Sequence, residues 1–178
     1  MNLLLRLLWV MLRARFGTRH PSIVAPAFLN FRVWLTDQDM FMHMTNSRYL
    51  SFSDLGRIDL FSRSGLRKVL KTNGWRTEIY GQSMTINRML KAPKSFSLET
   101  QVHGWDEEYL VLGQRFLRGD RNHAGVVTLL AIRDKSGNLI PPQTALDRIE
   151  AGVQSPELST SFVELIENTK RSRATQAQ

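Results

Sequence analysis

The sequence predicts an α+β domain in which an antiparallel sheet curls around one central helix. Three observations predict it. Between Asn46 and Ser64, Tyr49, Phe52, Leu55, Ile58 and Phe61 recur at helical spacing, and Leu50 and Leu60 widen the stripe. From Trp75 onward the apolar period falls to two, in runs separated by turn residues. A helix that is apolar on more than one side needs apolar surface around it, and a curled sheet needs its concave face filled.

The elements follow in order. "MNLLLRLLWVMLRARF" is an apolar run split by Arg6, far short of the ~20 residues of a spanning helix and unlike a signal peptide's unbroken core. On a helical wheel Asn2, Arg6 and Arg13 share one side, and Leu4, Leu8, Met11 and Leu12 the other. Residues 1–20 therefore form an amphipathic segment whose apolar face lies in a membrane interface or packs on protein. "GTRHPSIVAPAFLN" reads as a connector, and "FRVWLTD" alternates as a strand. Gly65 closes the long helix, and Asn73-Gly74 closes a short second one. A meander of about four strands follows, with turns at Asp106–Glu108, "RGDRNHAG" and "KSGN". Weak helices cover 144–151 and 162–168, and the last ten residues are polar enough to be disordered. The domain thus runs over 28–152, and 153–178 holds a C-terminal helix and a disordered tail.

Composition narrows the chemistry. The chain of 178 residues is long enough for its own core. It has no cysteine, which excludes disulfides, thiolate metal sites and cysteine nucleophiles. Four histidines without an H-x-x-x-H pair argue against a zinc site, and no cofactor is expected. The formal charge of +8 favours anionic partners, but the excess collects at the ends, and no nucleic-acid motif is present.

The chemistry-bearing groups gather in "TDQDMFMHMTNSRY", between the first strand and the long helix. Spacing alone reads Asp39 as an Asx-turn residue and Asp37 as a structural carboxylate that caps amides or pairs with an arginine. His43 reads as a loop-fixing group and Asn46 as a helix cap. Asp54 and Arg57 form a helical ion pair. Arg88, Lys91 and Lys94 form a cationic group near a strand end, and surface lysines are most often only solvated charge. Met40, Met42, Met44, Met84 and Met89 are flexible enough to line an acyl channel, and ordinary packing explains each of them as well.

This stretch resembles a family pattern, D-x-D-x-x-G-H-V-N-N-A-x-Y, of the hotdog-fold acyl-CoA thioesterases of the 4-hydroxybenzoyl-CoA type. Asp37, Asp39, His43, Asn46 and Tyr49 match it. Met42 stands where glycine is usual and Thr45 where the first asparagine is. Within the family the resemblance is to the branch called thioesterase superfamily member six, and it runs from about Phe31 to Pro142. The resemblance implies a hotdog fold and a homodimer or tetramer. It implies an acyl-CoA substrate, with Asp39 as nucleophile or general base and the Asn46 amide as oxyanion donor. Asp37, Met42, His43 and Tyr49 would support the loop, and of two cationic groups, Arg88, Lys91 and Lys94 or Arg118 and Arg121 flanking another turn, either could meet the coenzyme A phosphates. The expected location is cytoplasmic, with peripheral contact to an anionic membrane. Met42 motivates a rival, a non-catalytic acyl- or lipid-binding protein of the same fold. A hotdog dehydratase is a further rival, but His43 is badly placed for one.

Overall fold

The computed structural model describes residues 2–176; Met1, Ala177 and Gln178, which the first and last predicted segments include, lie outside the described residues. Helix α1 (Asn2–Phe16) leads into a connector and strand β1 (Ala27–Arg32). The strand begins four residues earlier than its alternation suggested. Ala27, Leu29, Phe31 and Val33 point inward. Past Val33 the chain leaves the sheet in a single 3₁₀ turn at Leu35–Asp37, so the strand does not run on through "WLTD", and Trp34 is exposed on the surface.

Helix α2 (Asn46–Ser64) covers the predicted range and ends on Gly65 at φ 92°, a left-handed value that glycine takes without a Cβ penalty. Helix α3 (Leu66–Asn73) ends on Gly74 in the same way. Then come β2 (Arg76–Ile86), β3 (Ser95–Trp105), β4 (Leu110–Arg118), β5 (Arg121–Arg133) and β6 (Leu139–Ile140). The expected turn at "RGDRNHAG" shrinks to Gly119 and Asp120, since Arg121 already pairs with Arg118. The sheet order is β1-β3-β4-β5-β2, with β6 on β5. Only β3, β4 and β5 form a meander. β2 pairs with β5 instead of β3, because residues 87–94 carry the chain across one end of the sheet. The helix expected over 144–151 is the single turn α4 (Pro142–Leu146), and α5 (Thr160–Gln176) extends through most of the tail expected to be disordered.

This is the hotdog arrangement. α2 lies in the concave face, where Phe52 and Tyr49 meet Phe31, Phe96 and Phe116 in ring contacts of 4.9–5.1 Å. Gly56 lets the helix approach the sheet: a Cβ there would stand 2.3 Å from the Thr100 hydroxyl. Gln114 bridges the two layers by donating to the Ser53 carbonyl and to Thr100 Oγ1. α5 covers the convex face, burying Ile166 with Tyr109, Val111, Leu129 and Ala131.

The loop at the start of the central helix

Three backbone bonds shape the loop between β1 and α2. The Thr45 amide donates to the Asp37 carbonyl at 3.0 Å, closing with the Asp39–His43 bond an isolated antiparallel bridge of Gln38 and Met44. The Asp39 amide donates to the His43 carbonyl at 2.9 Å, and the Met42 amide to the Asp39 carbonyl at 3.1 Å. The Gln38 side-chain amide also donates to the Met42 carbonyl. Closing so short a loop drives Met42 to φ 60°, the one non-glycine residue at positive φ among those described. That conformation costs an L-residue about 1–2 kcal/mol. The position where the family pattern has glycine thus keeps a glycine-like backbone with a methionine on it.

Asp39 is exposed at the loop tip, and its Oδ1 accepts from the Phe41 amide at 2.9 Å and the His43 amide at 3.2 Å. These are the Asx-turn bonds that spacing alone suggested, and both fall on one oxygen. His43 anchors the loop through its backbone, donating to Asp39 and accepting from its amide. Met40, Phe41 and Met42 are exposed, so they do not form a channel wall within the chain. Met44 is buried, and its amide donates to the Leu90 carbonyl at 2.8 Å.

The N-cap of α2 is Thr45, not Asn46. Thr45 gives no side-chain cap; its hydroxyl lies 3.1 Å from Ser47 Oγ instead. Asn46 is the first helical residue and is exposed. Its amide belongs to the first turn, whose N–H groups have no partner within a helix and carry the positive end of the dipole. An exposed carboxylate therefore sits six residues before a helix N-terminus that no side chain closes.

Two partners hold this loop from below. Tyr49 is fully buried, and its hydroxyl accepts from the Leu90 amide at 3.0 Å. Burial pushes the Tyr49 phenol up from its ordinary pKa of 10.0, and the Leu90 amide opposes the shift. Asp37 has no exposed surface. It takes the Arg6 guanidinium at 3.0 and 2.8 Å, the Trp34 amide at 2.9 Å and Arg48 at 3.5 Å. Arg6 also donates to the Arg32 carbonyl and lies 4.6 Å from the Phe52 ring centre. The sequence gives Asp37 an unnamed arginine and places Arg6 on the cationic flank of an amphipathic helix. The signal that joins them was the arginine interrupting an apolar run.

Arg88, Lys91 and Lys94 ride on the crossing segment 87–94, all exposed. Arg88 and Asn87 donate their amides to the His123 carbonyl, and the Lys94 carbonyl accepts from Val33. With Leu90 tied to Met44 and Tyr49, this segment runs directly under the loop, and its cations share the loop's end of the sheet. Among the described residues no group of three or more His, Asp or Glu is placed to hold a metal ion.

The comparisons with known proteins agree with this fold. The thioesterase-like superfamily matches residues 33–164. Protein THEM6 of Danio rerio is 30% identical over 156 residues, which span 87% of this chain and 76% of its own. Among solved structures, the probable thioesterase YbaW from Escherichia coli superposes with a TM-score of 0.65 at 15% identity, covering 70% of this chain and 96% of its own. Slr0204, a 1,4-dihydroxy-2-naphthoyl-CoA thioesterase from Synechocystis, gives 0.60 at 11% identity over 68% and 96%.

Proposed function

The chain belongs to the thioesterase-like superfamily, and from that membership we propose that it is an acyl-CoA thioester hydrolase with Asp39 as nucleophile or general base. The observation that carries the reading is an exposed carboxylate at a loop tip, leading into a helix start with no side-chain cap. With both turn bonds on Oδ1, the Asp39 Oδ2 is the atom offered to the reaction. As a base, Asp39 takes a proton from water as the hydroxide oxygen bonds to the thioester carbon. The carbonyl oxygen becomes an oxyanion, and the amides of Asn46 and its neighbour donate to it. Each such donor is worth on the order of 10²–10³ in rate. The C–S bond then breaks, the thiolate leaves with the proton, and a carboxylic acid and free coenzyme A result. As a nucleophile, Asp39 instead attacks the thioester carbon and the C–S bond breaks, giving a mixed anhydride and the coenzyme A thiolate; water then cleaves the anhydride, releasing the carboxylic acid, restoring the Asp39 carboxylate and leaving a proton for the thiolate. A CoA thioester is the substrate named for Slr0204, and Arg88, Lys91 and Lys94 are the cations that would meet its phosphates.

The outer edge of β2, eleven residues long, is unpaired in the single chain, and a homodimer through that edge fits the reading. Cytoplasmic location with peripheral membrane contact through α1 fits it too. The decisive experiment measures free thiol release from a panel of acyl-CoAs. Asp39→Asn should lower the best rate by ~10²-fold or more with the fold intact. A near-parental rate would overturn the assignment. A second reading, acyl-CoA binding without turnover, draws on the Asx-turn bonds of Asp39 and the side chain of Met42. Saturable binding with no thiol release from any acyl-CoA would favour it.

A further inference from the structure

α1 docks the wrong way round for an ordinary surface helix. Arg6 and Arg13 face the domain and pair with the buried Asp37 and Asp59, while Leu4, Leu5, Leu8, Leu12 and Phe16 face outward. The outward face does not end with the helix. Leu5 and Trp9 share a groove of about 490 Å³ with Trp34 and Phe31. Trp34 and Leu35 line a second groove of about 450 Å³, with Ala92 and Pro93 on the crossing segment. Beyond them the loop tip exposes Met40, Phe41 and Met42 by 86%, 71% and 56%. A single soluble domain rarely exposes so much contiguous apolar surface unless something binds it.

The charge at this end of the sheet narrows the chemistry of a partner. Arg32, Ser95, Arg118, Arg121 and Ile86 lie at one end of the sheet by strand register. Arg88, Lys91 and Lys94 cross that same end. Six exposed cations therefore lie at the loop's end of the sheet, against the exposed carboxylates of Asp39 and Asp120. A second copy of the chain seated on this patch would bring like charges together. An anionic bilayer matches both the cations and the apolar centre, and tryptophans at the edge suit the headgroup layer.

We propose that the loop carrying Asp39 inserts into an anionic phospholipid bilayer together with Trp34, Leu35 and the outward face of α1, so that the site opens at the membrane surface. This rests on the peripheral-membrane part of the function proposed above, and it adds that the site loop itself is in contact with lipid. It predicts a substrate drawn from the bilayer, with its acyl chain on the lipid side and its anionic head near the sheet-end cations.

The absence of native cysteine allows single labels on the full chain. An environment-sensitive fluorophore is placed at Phe41→Cys, at Leu12→Cys and, at the opposite end of the sheet, at Ser136→Cys. With phosphatidylcholine–phosphatidylserine vesicles, emission at 41 and 12 should shift to the blue, and 136 should not move. Phe41→Asp should weaken vesicle partition roughly ten-fold or more, as loss of one buried aromatic ring requires. A shift at 12 without one at 41 overturns the proposal and leaves α1 alone at the membrane. A vesicle-independent shift at 41 that grows with protein concentration overturns it in favour of self-association. No shift at either position overturns it as well. Thiol release by the unlabelled chain is measured in parallel, so the thioesterase reading stands or falls separately.

Discussion

The two terminal helices pack on the same domain by opposite rules. α5 is mostly polar and turns Phe162, Leu165 and Ile166 onto the convex face of the sheet, leaving only Val163 of its large apolar residues exposed. Its cations then close the edge: Lys170 pairs with Asp106 at 3.1 Å, and Arg173 donates to the Tyr109 hydroxyl at 2.7 Å while lying 4.0 Å from the Tyr80 ring centre. α1 is mostly apolar and turns its arginines inward. Of its large apolar side chains only Val10 is fully buried. The comparison teaches that an apolar stripe states which surface avoids water, not which body keeps water away. Asp37 and Asp59 decide the matter for α1. Each is a carboxylate without solvent, and each takes an arginine from that helix. A buried charge left unpaired is far more costly than an exposed leucine.

The largest expected effect breaks the inverted docking directly. Arg6→Ala leaves Asp37 inside the protein without its bidentate partner, and with Arg48 at 3.5 Å as a weaker one. Breaking one side of a buried pair costs about 3–5 kcal/mol. Urea unfolding of the full chain should show a loss of that size. A loss below ~1 kcal/mol would mean that α1 is loosely held and that the contrast with α5 is overstated.

That contrast also marks what the sequence could tell. α2 was legible to the residue, because its apolar stripe and its glycine stop lie together in one continuous stretch of period 3.6. The order of β2 was not, since pairing β2 with β5 depends on a crossing segment whose bonds reach Tyr49, Met44 and His123 from elsewhere. The loop was legible as a motif, and Met42 takes the glycine-like backbone that the motif describes. Helix periodicity could not show that Arg6 belongs to Asp37, because the two are 31 residues apart and the wheel carries no information about carboxylates. The extension of α5 was hidden for a similar reason. Its last turns are polar, and tyrosines on β2 and beside β4 hold them.

A smaller effect sharpens the comparison residue by residue. Ile166→Ala in α5 removes a side chain that is 4% exposed and should cost about 2–4 kcal/mol. Leu8→Ser in α1 removes one that is 54% exposed and should stay within about 0.5 kcal/mol in urea without lipid. Equal costs would show that the outward face of α1 is covered within the protein itself.

The smallest effect belongs to the interface of α5 alone. His103 sits on β3 beneath that helix, with its ring centre 5.0 Å from that of Phe162. Gly113 on β4 makes the room, since a Cβ there would stand 2.2 Å from His103 Nε2. Burial lowers the His103 pKa from its ordinary 6.5. Glu99 pulls the other way, but it is tied to Arg115 by two bonds of 2.9 and 2.8 Å, and Arg115 itself disfavours the imidazolium. The unfolded chain then holds the His103 proton more tightly than the folded one. The stability that the neutral ring contributes is fully present above the unfolded value of about 6.5 and is lost as pH falls through the lower folded value. Urea midpoints should therefore drop between pH 7 and pH 5 by more in the parent chain than in His103→Gln, which cannot titrate there. If the parent chain and His103→Gln lose equal stability over that range, the ring is not kept neutral by α5, and the cover over the convex face is looser than its contacts imply.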